Sequence, residues 1–493
     1  MAINFLTIPL SINAPLFAAE FDASGATAGL SVGPHDSLVI GQMLTGSATP
    51  GQVYSVDSVD EASALFGRDS QLGQQVAAFK AAYPGGALYA IALADATAGV
   101  QATGSFIFSG TATETRELVL YVGGRRVSVP VVKGATAADV ETSALAAFAT
   151  ANLDGFVATE TGNTGTGVDV KANHKGSIGN QIALGHSLNA GERVPGGITV
   201  TVNAMSGGLT DPSYSPAITA MADTQYATIA SGIANQAALS PIISLLTQRW
   251  SGLSTKDGHV FAVSADTRSN LTTLGNSFNS EQLTLLGIEV SAKMRTPWEM
   301  AAALAGLQAA QTVVDPALHM RGVKFPSGFS GPARGTEFTY SQRDTLISDG
   351  VSTGYLTQDG SYAIDRLVTT YQTNSLGFID KAYQNLTTKR TLSFLRASML
   401  ARVSTKFGRM KIRNDGLPIP AGANIINPSI IRGELIALFG EWQDAGLVED
   451  IDQYKSELVV ERNASDPDRV DAVLSPNIIN NLLAFAAKIS FKR

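Results

Sequence analysis

Between residues 226 and 314 the sequence repeats one pattern: a short apolar run, a turn, then a helix-length amphipathic stretch. The runs at 226–231, 260–264 and 285–291 are bounded by turn residues and are too short for buried helices, so they read as buried strands. A helical pattern at 236–250 separates the first two. After the third comes a complete helix start, with Thr296 as N-cap, Pro297 at the first helical position and Glu299 completing a capping box. Met300, Ala303, Leu304 and Leu307 then share one face. Strands alternating with helices need crossover connections, which make neighbouring strands parallel and lay helices on the sheet. The sequence therefore predicts a layered α/β core of mixed α/β (α+β) class. The same alternation opens the chain, with a strand at 37–41, a helix at 69–83 stopped by Pro84-Gly85-Gly86, and a strand at 86–93.

From 95 to 210 the composition shifts to Thr, Gly, Ala and Val. Gly123-Gly124 between 118–122 and 125–132 is a hairpin signal. A helix at 137–149 and strand-like runs at 168–172 and 198–202 follow. This stretch reads as an inserted β-rich domain. Past it, Pro212 marks a helix start and Asp359-Gly360 marks a hairpin between 353–357 and 362–371. A helix over 388–407 is expected to turn Leu392, Leu395, Met399 and Val403 inward. A second, from Asn427-Pro428 to Gly446, carries Ile431, Leu435, Leu438 and Trp442 on one stripe. Segments 456–462 and 469–474 can pair across the turn at 463–468.

The two ends read as extended arms. Ile3, Phe5, Leu6, Ile8 and Leu10 are apolar, but Pro9 and Pro15 exclude a helix there. At the other end Leu483, Phe485, Ala487, Ile489 and Phe491 alternate with Ala486, Lys488, Ser490 and Lys492, the period of a strand with one buried face. A strand there needs a sheet to receive it, in its own subunit or a neighbour's. The resulting plan is an arm at 1–25, a core at 26–94 resumed at 211–475, the insert at 95–210, and a linker with an arm strand at 476–493.

Chemistry is harder to find. The 493 residues include no Cys, which removes disulfides, thiolate metal sites and a Cys nucleophile together. No P-loop, HExxH or Gly-x-Ser-x-Gly pattern occurs, and the five His are scattered. No catalytic residue, cofactor or metal ligand set is expected. The net charge of −7 speaks against nucleic acid as a partner. No apolar run approaches the length of a membrane span, and residues 1–10 lack a signal peptide's basic region. Charged residues are only 16% of the chain, which hints at surface covered by partners.

One charge pattern stands out. Lys389, Arg390, Arg396, Arg402, Lys406, Arg409, Lys411 and Arg413 are interrupted by no acid. Glu441, Asp444, Glu449, Asp450 and Asp452, with Glu434 upstream, form an acidic counterpart. These are local ion pairs on a solvated face, complementary patches between subunits or toward another protein, or, third, a nucleic-acid face, weakened because Phe394 and Phe407 are the only aromatics interleaved with the basic residues.

Four stretches in order resemble the tail sheath proteins of contractile-tailed, Mu-like phages: LGIEVSAKMRTPWEMAAALAG at 286–306, DRLVTTYQTN at 365–374 with Gly377 and Asp380, WQDAGLVED at 442–450, and VERN at 460–463 with DPDR at 466–469. The resemblance implies a structural protein, with no enzymatic activity, that forms a helical homopolymer of hexameric rings around an inner tail tube protein. It implies arms that add strands to neighbours' sheets, and contraction that drives the tube into the host envelope. Baseplate and tail terminator proteins are the further partners implied, with a virion location, assembly in the host cytoplasm, and no direct membrane insertion. A bacteriocin-like or secretion-type contractile device is the first alternative and an α/β hydrolase or transferase the second. The basic stretch then becomes a candidate face toward an acidic tube or neighbour.

Overall fold

A computed structural model describes residues 35–151, 153, 157–160, 166–420 and 423–491. They fall into two compact units, residues 34–393 with 478–493, and residues 394–477. The arm expected at 1–25, with Ile3, Phe5, Leu6 and Ile8, lies outside the described residues.

The larger unit is built on an eight-stranded sheet. Its order is Tyr362–Arg366, Val351–Leu356, Leu283–Ile288, Val260–Ala265, Thr228–Ser231, Ser37–Gln42, Leu88–Leu93, Val53–Ser55. The six inner strands run parallel, with Ser37 opposite both Thr228 and Leu88, and Val260 opposite Leu283. The two edge strands are antiparallel. Alternate side chains of one strand enter opposite layers: Leu38 and Ile40 join one apolar cluster, and Val39 joins the other with Phe261, Leu286 and the helix Pro297–Val314. Both faces are covered, the arrangement that near-continuous apolar strands require. The capping box of Pro297–Val314 forms as expected, with Glu299 accepting from Thr296 N.

Between residues 101 and 206 lie two smaller sheets. Ile198–Ser206, Gln101–Gly110, Gly167–Lys175 and Val157–Glu160 make one, and Arg125–Val131, Arg116–Val122 and Leu184–His186 the other. The helix Ala137–Ala151 buries Val140, Ala144 and Phe148 against them. Gly123 and Gly124, both at positive φ, make the tight turn of the expected hairpin. The helix expected at Pro212 starts later, at Ser215–Met221.

In the smaller unit, Pro428–Asp444 buries Ile431, Leu435, Leu438, Phe439 and Trp442. Trp442 Nε1 donates to Ser398 Oγ at 3.0 Å, and Phe439 stacks on Tyr454 with ring centroids 4.1 Å apart. Of the four residues expected inward on Leu386–Phe407, only Leu395 is buried; Leu392, Met399 and Val403 are half-buried. Val459–Arg462 pairs antiparallel with Val470–Val473 as a two-stranded ribbon.

The strand expected over the final arm is not formed. Residues 479–491 carry no secondary structure, and Leu482, Phe485, Ile489 and Phe491 are exposed. Period-two alternation permits a strand, but a strand exists only where a ladder partner satisfies its backbone. Among the described residues none does.

Candidate functional site

Open α/β sheets bind ligands outside the carboxyl ends of their strands. Here that edge is filled. The Gly123-Gly124 turn packs onto it, with Gly123 N donating to Ala183 O at 2.9 Å and Gly124 N to Ala292 O at 3.0 Å. A Cβ on Gly124 would stand 2.7 Å from Met294 O, so only glycine fits. Arg125, next in sequence, pairs with Glu299 at 3.2 Å, and Arg295 reaches the same carboxylate at 3.5 Å. Burial pushes the Glu299 carboxyl up, but the two guanidinium groups and Thr296 more than reverse this and hold it below its ordinary value.

Little space remains. One void of about 10 Å³ lies beside Glu289, and another of about 120 Å³ lies between Ser177, Asn235, Ser264 and Trp298. Ligand pockets start at roughly 300 Å³. Burial raises the pKa of Glu289, yet its oxygens are taken, by Phe338 N at 2.8 Å and Tyr362 OH at 3.3 Å. Sequence reading missed this carboxylate, because nothing local distinguishes a buried Glu at a strand end. Among the described residues no group of three or more His, Asp and Glu could hold a metal ion.

The basic stretch does not form one surface. Lys389 is buried at 1% exposure, with Nζ 2.8 Å from Gln282 Oε1 and 3.0 Å from the centroid of the Trp250 ring. Burial pushes its amine down to about 6. Arg390 is also buried, donating to Ala227 O, Thr228 Oγ1 and Gln308 Oε1, and burial pushes it down to about 9. These two residues serve the core, which corrects their reading as a partner-facing surface. Sequence could not reveal this, since no buried carboxylate pairs with them; Gln amides, the Thr228 hydroxyl, the Ala227 carbonyl and the Trp250 ring receive them instead.

In the smaller unit Arg402 is buried and bridges Glu434, at 2.8 Å, and Glu441. Lys406 joins Glu434 at 2.7 Å. These are local ion pairs, with Arg402 buried among them instead of lying on a solvated face. Arg396 is half-buried, and burial lowers its pKa. Arg409 and Lys411 are exposed, and Arg413 donates to Pro418 O at 2.7 Å. Of the acids, Asp444 and Glu449 are exposed. Asp450 caps the helix Ile451–Glu457, and Asp452 pairs with Lys455 at 3.2 Å.

Two backbone features lie away from the filled sheet edge. The ribbon Val459–Arg462/Val470–Val473 has no third strand among the described residues, and Val459 and Val473 are exposed. By contrast, the outer edge at Tyr362–Arg366 is occupied by its own chain: Gly322 N donates to Ile364 O, Ile364 N to Val323 O and Phe325 N to Tyr362 O. The other feature is the arm. Leu483 is half-buried, Phe485, Ala487, Ile489 and Phe491 are exposed, and Asn481 Nδ2 donates to Thr387 Oγ1 at 3.1 Å.

Residues 379–492 match the family model of the phage tail sheath C-terminal domain. Over 493 residues the chain is 33% identical to the Mu-like prophage FluMu tail sheath protein of Haemophilus influenzae, covering 100% of both. The chain belongs to the tail sheath proteins of Mu-like phages. Two solved sheath tail proteins are similar to it at 12% identity each. The one from Desulfitobacterium hafniense has a TM-score of 0.49, with 94% of this chain and 100% of that chain covered. The one from Listeria innocua has a TM-score of 0.48, with 90% and 92% covered. As a tail sheath protein, the chain is a structural component of a phage or phage-like injection device and not an enzyme, which sets aside the hydrolase or transferase alternative.

Proposed function

We propose that this sheath protein polymerises as stacked hexameric rings around an inner tail tube, linked by arm strands, and contracts to drive the tube through the host envelope. The observation that carries the linkage is a match of needs. The segment 482–491 alternates like a strand and lacks a ladder partner, while the ribbon Val459–Arg462/Val470–Val473 has open edges. Two-stranded ribbons are marginal alone, and a third strand stabilises them. A strand donated by a neighbour supplies backbone bonds that tolerate changes in subunit orientation, provided the linkers at 11–22 and near Pro476 bend. Ile3, Phe5, Leu6 and Ile8 would serve the opposite arm in the same way.

In this reading the 95–210 insert, part of the larger compact unit, faces outward. Arg409, Lys411 and Arg413 are the basic residues left to meet an acidic tube or neighbour, with Asp444, Glu449 and Asp450 as the acidic side. Baseplate and terminator proteins would bound the polymer, which assembles in the host cytoplasm.

Deleting 482–493 tests the linkage. The truncated chain should remain a folded monomer with unchanged melting temperature and give no sheath-like particles by electron microscopy. Particles of normal appearance from the truncation would sink the arm mechanism.

A further inference from the structure

A second apolar feature lies in the larger unit. Residues 368–385 form a ribbon with bridges Val368↔Asn385 and Thr373↔Ile379, tied to the sheet where Thr370 N donates to Leu283 O. Its tip holds Leu376 at 77% exposure, Phe378 at 68% and Ile379 at 86%. Single exposed apolar residues are ordinary, but three on one turn are a patch.

This turn is tightly held. Asn374 N donates to Phe378 O at 2.9 Å, and Asn374 Oδ1 accepts from Leu376 N and Phe378 N at 3.0 and 3.1 Å. Gly377, at φ +80°, closes it. At the base, Asn279 Oδ1 accepts from Gln372 N and Thr373 N, while its Nδ2 donates to Thr373 O and Oγ1. Tyr371 OH donates to Asp380 Oδ2 at 2.6 Å. Ordering a turn that holds three apolar side chains in water is unfavourable unless a partner covers them. A tip fixed before binding loses little further entropy on docking.

At the root of the same ribbon lies a groove of about 430 Å³, lined by Arg321, Tyr340, Arg343, Ile347, Arg366 and Phe485 among others. Arg366 joins it to the ribbon through Asn385 Oδ1 at 2.9 Å. Tyr340 is 77% exposed, and Asp365 holds Arg343 at 2.9 Å and Arg321 at 3.7 Å. Exposed Tyr with guanidinium groups fixed by a carboxylate is the composition of interface hot spots, and such guanidinium groups accept an aromatic face. The volume suffices for the side chains of Leu376 and Phe378.

We propose that the tip Leu376–Ile379 of one copy seats in this groove on a second copy, with Phe378 against the arginines and Tyr340. The tip's exposure shows that it does not fold back onto its own groove. Knob and groove are different patches of one chain, so the contact is head-to-tail. Repeated, it generates rings or helices in place of closed pairs. This rests on the polymer reading above, and it adds a side-chain contact to the arms' backbone pairing; when the arm residue Phe485 is donated to a neighbour, Arg321, Tyr340, Arg343 and Arg366 remain as the groove's other walls.

The absence of Cys makes the test clean. Phe378→Cys and Tyr340→Cys chains, mixed, co-assembled and oxidised, should give disulfide-linked dimers in particles and none in dilute monomer. Phe378→Asp combined with Leu376→Asp should melt as wild type does but need at least ten-fold more protein to assemble. Particles that form at wild-type concentration from the Asp variant, with no cross-link in the Cys mixture, overturn the contact and leave the polymer reading intact. A photoreactive residue at 378 that labels the tube protein in place of a second copy also overturns it. Failure of the wild-type chain itself to assemble would refute the polymer reading and this contact together.

Discussion

The ribbon tip at 374–379 and the segment 482–491 both hold large apolar side chains in water, yet they are built in opposite ways. Around the tip, the Asn374 and Asn279 side-chain amides hold the backbone N–H groups of residues 372, 373, 376 and 378, and a Tyr371–Asp380 side-chain bond closes the base. Along the arm, no backbone partner exists among the described residues, and one side-chain bond from Asn481 lies at its start. A segment that must adapt to a neighbour's sheet keeps its backbone groups free, because those groups are what it donates. A knob that must fit one shape is ordered beforehand, so that its binding free energy is not spent on ordering. Two adhesive solutions thus sit in one compact unit, one conformationally open and one fixed.

Three substitutions test how real that contrast is. Asn279→Ala removes four hydrogen bonds at the ribbon base and should destabilise the ribbon locally by about 2 kcal/mol at typical net values per bond. Hydrogen exchange should then rise at 371–380 to the level of 482–491. Unchanged protection would mean that the clamp is ornamental. Gly377→Ala places a Cβ at φ +80° with open space around it, so the expected loss is conformational alone, about 1 kcal/mol. It should show as a modest rise in exchange confined to the turn.

The smallest effect is set by pH. The Tyr371 hydroxyl and the Ala382 amide hold the Asp380 carboxyl below its ordinary value, and Asp380 in turn pushes the Tyr371 phenol up to about 12. The depressed acid contributes order that is present above its unfolded pKa near 4 and fades as pH falls through the lower folded value. The raised phenol contributes order that is complete below 10 and fades toward 12. Protection of the ribbon should therefore be flat between about 4 and 10 and fall on either side. Asp380→Asn should flatten the acid limb, while the arm should show no such window. A ribbon protection independent of pH would remove the Tyr371–Asp380 pair from the account.

Sequence made the local features legible and left the relational ones hidden. The Thr296-Pro297-Glu299 helix start, the Gly123-Gly124 hairpin and the Asp359-Gly360 hairpin were all readable because their chemistry is complete within a few residues. The strand Gln101–Gly110 escaped notice because Gly104 and Thr103 interrupt its alternation. The helices Arg268–Asn276 and Tyr340–Ser348 escaped because they are short and largely polar. The burial of Lys389 and Arg390 was hidden for a deeper reason, since their partners Gln282, Trp250, Thr228 and Gln308 are far away in sequence and uncharged. The ribbon tip was visible only as Gly377 and Asp380, with no sign that Leu376 and Phe378 beside them face water.

The sheet order imposes a timetable on folding. Ser37–Gln42 can pair early with Leu88–Leu93, but its other ladder partner, Thr228–Ser231, lies roughly 190 residues further along the chain, and such distant pairings form late. Until then the half-sheet keeps an open edge made of Ser-Leu-Val-Ile-Gly-Gln, while the residues in between build their own two sheets. That interval is when a nascent subunit is most prone to aggregate with its neighbours. Slower synthesis or a chaperone that covers residues 37–42 should therefore raise the yield of soluble protein more than any change at its finished surface.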